Sequence, residues 1–414
     1  MKLKFFLLFL FSLYIINCAL TIEAQATIRY VSKTGTSTPP YTSWATASDS
    51  IQKCINICVT GDTVYVANGV YYESIYIDKT INLWGSSMDS TVIDGTNISG
   101  YDIVYFFENN SSFKNFKITS SNPQRNGINS RRTNLIAEQC RIINLTIPIM
   151  VNFSSVNISD FIMNFYTYGI RDECPNDTCN SVFTNNLIIS SDASEDPVSF
   201  LFGGYPSFIN NIVLGSGNYR GVDIQYNRGA KIMNNLISGT SSTNIRAGQI
   251  LTDTAYFKNN LSINSEKSYS TSTAHRTVIS NNIAKDSYRG VDATNGTVTP
   301  NYNLFWNVNE LTGGTANLGN KNIIADPMFV NDTIPTANSN YDFHLQKYSP
   351  AIDKGDPSIL DVDGSRSDIG LFGGPYGQNY TYQDLAPKPP RNLTASMDSG
   401  LVHLKWNKNT EADL

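Results

Sequence analysis

Short apolar runs punctuate the chain at a regular interval. Each has a bulky apolar residue, one variable residue, Asn-Asn and an aliphatic. The copies are Phe183 to Leu187, Phe208 to Ile212, Ile232 to Leu236, Phe257 to Leu261 and Ile279 to Ile283, with a degraded copy at Asn301 to Leu304. Anchored on the second asparagine, Asn186, Asn211, Asn235, Asn260, Asn282 and Asn303 are separated by 25, 24, 25, 22 and 21 residues. Weaker anchors at Asn115, Cys140 and Asp160 extend the series toward the N-terminus. A period of roughly 20–25 residues is that of a solenoid, either a leucine-rich horseshoe or a β-helix. The runs are β-branched or aromatic, three to five residues long, broken by Gly, Ser, Thr and Asn, with no leucine framework. That selects strands.

Asparagine has a mechanical reason to recur, because it tolerates the left-handed conformation of a sharp bend. Its amide can also donate and accept along a ladder of stacked copies. The pattern leaves open which Asn of each pair points inward. Each coil reads as three strands, for example Gly221 to Gln225, Lys231 to Met233 and Leu236 to Ser238. The fold class is therefore all-β, a right-handed parallel β-helix. Ile51, Cys54, Ile55 and Cys58 lie on one helical face, with Ser48 or Asp49 as cap and Gly61 beyond the end. Such a helix can cover the open first coil.

Lys2, Lys4 and the apolar run Phe5 to Ile16 precede Ala24-x-Ala26, which reads as a cleavable leader over 1–26. Ile15-Ile16-Asn17-Cys18 offers lipid attachment at Cys18 as the alternative. No later stretch reaches the ~20 apolar residues of a membrane span, so secretion, or display at the cell surface, is expected. The net charge of −5 comes with no basic face for nucleic acid. Cys174 and Cys179 flank a turn-like loop that a disulfide could close.

On these residues the chain resembles the pectate-lyase-like superfamily of parallel β-helix proteins, over roughly Tyr30 to Gly374. Tyr30-Val31-Ser32, Ser43 to Ala47 and Gly61 to Val66 look like the start of exported bacterial members. Asp326 to Val330, Ser349 to Gly355 and Asp361-Val362-Asp363-Gly364 look like their C-terminal cap. The domain is expected over 27–374, followed by a linker over 375–389. Residues 390–414, with Leu393-Thr394-Ala395 and Val402 to Trp406, resemble the first strands of a fibronectin type III module. A monomer is expected.

The resemblance implies polysaccharide as partner, held on one strand face. Aligning the glycine-led strands turns Ile128, Ile170, Val222 and Val291 inward, and Asn129, Arg171, Asp223, Gln249 and Asp292 outward on a common face. Such a column could read glycan hydroxyls, although solvent-facing strand positions are polar by default. Calcium is the one cofactor to weigh. Asp172, Glu173 and Asp177, or Asp192, Glu195 and Asp196, form acidic groups that solvation also explains. Arg131, Arg132, Lys231 and Lys258 are candidate bases and His275 lacks a glycine frame. The residues leave catalysis undecided between a binder and a lyase or hydrolase of an acidic plant or algal glycan.

Overall fold

The computed structural model describes residues 26–175, 179–191, 195–273, 276–389 and 391–411. Nearly all of the expected leader, Cys18 included, lies outside them, as do Asp177, Asp192 and His275.

Three parallel sheet faces wind into a solenoid. The first sheet has eleven strands, from Ile28–Val31 to Thr277–Ser280, each paired with its counterpart one coil on. Its inward column runs Phe183, Phe208, Ile232, Phe257 and Ile279 in unbroken register, and all five are buried. The second face carries strands such as Leu187–Ser190, Ile212–Leu214 and Leu236–Ser238, and the third carries Val198–Leu201, Arg220–Asn227 and Thr243–Ile250. Toward the C-terminus these two faces run together in single long strands, Leu261–Thr271, Ile283–Val298 and Leu304–Ala316.

The asparagine pairs sit at the bend between the first and second faces, and the two members divide the work. The first, at Asn185, Asn210, Asn234, Asn259 and Asn281, takes φ between 55° and 59°, which makes the turn. The second points inward. Asn186 donates its amide to Asn211, Asn211 to Asn235, Asn235 to Asn260, Asn260 to Asn282 and Asn282 to Asn303, at 2.9 to 3.2 Å. The ladder adds one member the spacing did not yield, Asn322, 3.2 Å from Asn303. The weak anchors mixed the two positions: Asn115 and Asp160 are bend residues with φ of 62° and 60°, whereas Cys140 points inward and is buried. In the earlier coils Phe116, Cys140 and Phe161 fill the inward position with apolar side chains.

The single described helix is short, Ile51–Asn56, and is capped by Ser50 rather than Ser48 or Asp49; Ser50 Oγ accepts the Lys53 N–H at 3.2 Å. Ile51, Cys54 and Ile55 are buried against the first coils, and Cys58 is buried just beyond the helix end. Ionic closure of the same end comes from Asp62, whose carboxylate accepts Arg29 Nε at 2.8 Å.

The C-terminal segment does not simply close the rod. Phe329, Phe343, Leu345, Ala351 and Ile369 pack onto Leu236, Leu261, Ile283 and Leu304, the outward residues of the second face. Asn234 donates to Leu371 O and Gly373 O at 2.9 and 2.7 Å, and Asn259 to Asp368 O at 3.0 Å. The segment thus lies along the flank of the coils. Its packing runs past Gly374: Tyr380 Oη accepts the Leu345 N–H, Tyr382 donates to Asp368, and Lys347 pairs with Asp384. Beyond it, Arg391–Asp398 and Leu401–Asn407 form an antiparallel hairpin. Leu393, Met397, Val402, Leu404 and Trp406 on it are all exposed.

Candidate functional site

The third face projects two adjacent columns of mainly polar side chains. One passes through Asn129, Met150, Arg171, Ser199, Asp223, Arg246, Ser270 and Asp292 in continuous register. The other passes through Arg220, Thr243, Lys267, Arg289 and Glu310. The glycines that lead several of these strands are demanded by packing at the bend between second and third faces. A Cβ on Gly221 would lie 2.5 Å from Ile237 Cγ2 and 2.7 Å from Asn244 O.

Four of the five residues picked from the glycine alignment therefore share one column: Asn129, Arg171, Asp223 and Asp292. Gln249 does not. Arg246 stands opposite Asp223, and the register slips after Ile224 so that Gln249 pairs with Gln225. Asn244 occupies the glycine position in that coil. Its buried amide bonds to Ile237 O, Ser262 Oγ and Ile263 O at 2.8 to 3.0 Å, so a glycine rule passes over the coil.

Asp223 and Asp292 each hold two cations. Asp223 takes Arg220 Nη1 at 3.1 Å and Arg246 Nη1 at 3.0 Å. Asp292 takes Arg289 Nη1 at 2.8 Å and Lys267 Nζ at 3.0 Å. Each arginine in turn bridges to a second carboxylate, Arg220 to Asp196 at 3.1 Å and Arg289 Nε to Glu310 at 2.8 Å. The side chain of Asp223 is only 2 % exposed, a degree of burial that a carboxylate tolerates when paired. Burial, reinforced by the neighbouring Asp223 charge, pushes the Asp196 carboxyl up to about 6 against the opposing pull of Arg220. At the other end of the face, Asn129 donates to Asp102 at 2.9 Å and accepts from Asn152 at 3.1 Å. Arg171 pairs with Glu173 and lies over the Tyr168 ring, 5.0 Å from its centroid.

The other candidates fall elsewhere. Asp172 turns inward, opposite Val151 and Phe200, so it cannot share an ion with Glu173, which is engaged by Arg171. Among the described residues no group of three or more His, Cys, Asp or Glu is placed to hold a metal. Lys231 and Lys258 belong to the first sheet, and Arg132 pairs with Glu108 at 3.2 Å. Cys174 and Cys179 are joined by a disulfide. A separate groove of about 490 Å³ lies between the bend residues Asn185 and Asn210 and the C-terminal segment at Tyr341, Phe372 and Tyr376.

Sequence reasoning missed Arg220, Arg246, Lys267, Arg289 and Glu310. One signal was available: the pentapeptide Tyr-Arg-Gly-Val-Asp occurs verbatim at 219–223 and 288–292.

No family model matches the chain, and no curated protein matches it. Solved structures resemble its fold. Pectate lyase Pel9A shares 14% identity at a TM-score of 0.49, covering 84% of this chain and 96% of that one. An alginate lyase from Paenibacillus sp. str. FPU-7 shares 14% at 0.42, covering 64% and 96%. A hyperthermoactive exopolygalacturonase from Thermotoga maritima shares 12% at 0.40, covering 63% and 84%.

Proposed function

We propose that this chain is an exported β-helix protein that binds polysaccharide along its third face. The observation that carries the reading is the pair of outward columns, Asn129 to Asp292 and Arg220 to Glu310. They place guanidinium, ammonium, carboxylate and amide groups along one side of the rod at multiples of the ~4.8 Å strand spacing. Charged and amide groups at that repeat can exchange hydrogen bonds with the hydroxyls and carboxylates of a chain molecule. The exposed hairpin from Arg391 is fibronectin type III-like and spaces the rod.

One observation favours a second reading, a lyase or hydrolase. Asp196 and Asp223 bond to the same Arg220 nitrogen at 3.1 Å each, so the bonded oxygens lie no more than about 6 Å apart, close to the separation of paired carboxylates in retaining glycoside hydrolysis. Asp196, pushed up to about 6, is the member suited to give a proton.

The test is to pass purified protein over pectate, alginate and rhamnogalacturonan gels with and without calcium, and to assay each eluate. Retention without turnover supports the binder. Unsaturated uronates support a lyase, and new reducing ends alone support a hydrolase. Flow-through on every gel with no product rejects the polysaccharide role.

A further inference from the structure

The repeated pentapeptide builds the same unit twice. At 219–223, Arg220 reaches Asp223 three residues on and lies over the Tyr219 ring, 4.6 Å from its centroid. At 288–292, Arg289 reaches Asp292 and lies over Tyr288 at 5.9 Å. Each arginine has a second carboxylate and each aspartate a second cation, as described above. The two units share both columns, since Arg220, Thr243, Lys267 and Arg289 are successive register partners, as are Asp223, Arg246, Ser270 and Asp292. They are therefore three coils apart, ~14 Å along the rod axis.

The fold itself does not require this duplication. The two coils between carry Thr243 and Lys267 at the arginine position, preceded by Ser242 and Glu266 where the tyrosines would stand. The buried Asp223 carboxylate calls for a paired cation, which Arg246 also supplies. Tyr219 and Tyr288 are 57% and 48% exposed, a cost that burial in the core would have removed. A half-exposed aromatic ring braced by a guanidinium, beside a fixed carboxylate, offers an apolar face and directed polar groups together. A sugar ring presents the same mixture.

Building on the polysaccharide reading above, we propose that the two Tyr-Arg-Gly-Val-Asp units are equivalent saccharide subsites. One glycan chain, lying parallel to the rod axis, engages both at once. Tyr219 and Tyr288 each stack a sugar ring, and Arg246 and Lys267 line the stretch between. Two linked weak contacts bind far more tightly than either alone once the ligand spans them, because the second becomes intramolecular. The site consequently measures ligand length.

The experiment uses the full chain and whichever glycan its gel retains, as polymer and as oligomers from dimer to octamer, by isothermal calorimetry. Affinity is expected to rise at least about tenfold between the dimer and the oligomers that span ~14 Å. Tyr219→Ala and Tyr288→Ala should each lower polymer affinity about tenfold or more, while dimer affinity changes by less than about twofold, since one unit remains. Tyr219→Phe and Tyr288→Phe, which keep the ring, should bind like the parent and exclude loss of folding as the cause. Retained polymer affinity in either alanine variant, or affinity independent of length, overturns the two-subsite proposal while leaving polysaccharide binding intact. Failure of the parent to bind any polymer instead rejects the underlying reading.

Discussion

Asn235 Oδ1 accepts both the backbone N–H and the side-chain amide of Asn211, the residue one coil earlier, at 2.8 and 3.2 Å. Asn235 repeats the arrangement toward Asn260. Asn235→Ala therefore strands the buried Asn211 backbone N–H, takes one of three acceptors from the Asn211 amide and removes the side-chain bond to Asn260 while leaving the backbone one. The expected loss is about 2–4 kcal/mol, read as a lower guanidinium midpoint. An unchanged midpoint would mean that the ladder is incidental to stability.

Tyr302 holds the bend position that Asn occupies in the five preceding coils, at φ 58°. A tyrosine pays more than asparagine for that backbone. Tyr302→Asn should raise stability by roughly 0.5–1 kcal/mol, seen as a higher melting temperature. A fall would show that the Arg366 contact over the Tyr302 ring, 5.8 Å away, outweighs the backbone term.

Asp172 faces the core, and among the described residues its Oδ1 has no hydrogen-bond partner. Burial pushes its carboxyl up to about 7, against the nearby Ser181 hydroxyl, which lowers it. The unfolded chain releases this proton near pH ~4, so the folded state binds more protons than the unfolded between about 4 and about 7, and stability falls as pH rises through that window. Asp172→Asn should stabilise the protein at pH 8 by up to about 4 kcal/mol, with the gain vanishing near pH 4. Paired urea titrations of parent and variant at the two pH values check this; an equal difference at both would locate the effect in packing.

The segment on the flank of the second face covers Leu236, Leu261, Ile283 and Leu304. Ending the chain at Asp326 would uncover a contiguous apolar strip, which favours association. Light scattering should show aggregates for that truncation, and a monodisperse product would mean that the flank is stable bare.

Much of the fold was legible because the Asn-Asn bend combines two local demands, a left-handed residue followed by an inward amide. The earlier coils were harder to read, since Phe116, Cys140 and Phe161 satisfy the inward position by apolar packing and carry no shared letter. The third-face column was found wherever glycine marks the next bend and lost at Arg246, because Asn244 performs the glycine's task through buried amide bonds. The flank contact was beyond local reading: Asn234 meets Leu371 across 137 residues, and no periodicity encodes that meeting.

Hydrogen–deuterium exchange of the full chain, with and without the retained glycan, reads the binding face directly. Protection is expected in the third-face strands over 219–227, 243–250, 267–271 and 289–293, with the first sheet unchanged. Protection confined to the groove beside Asn185, Asn210 and Tyr376, or to the first sheet, would contradict the assignment.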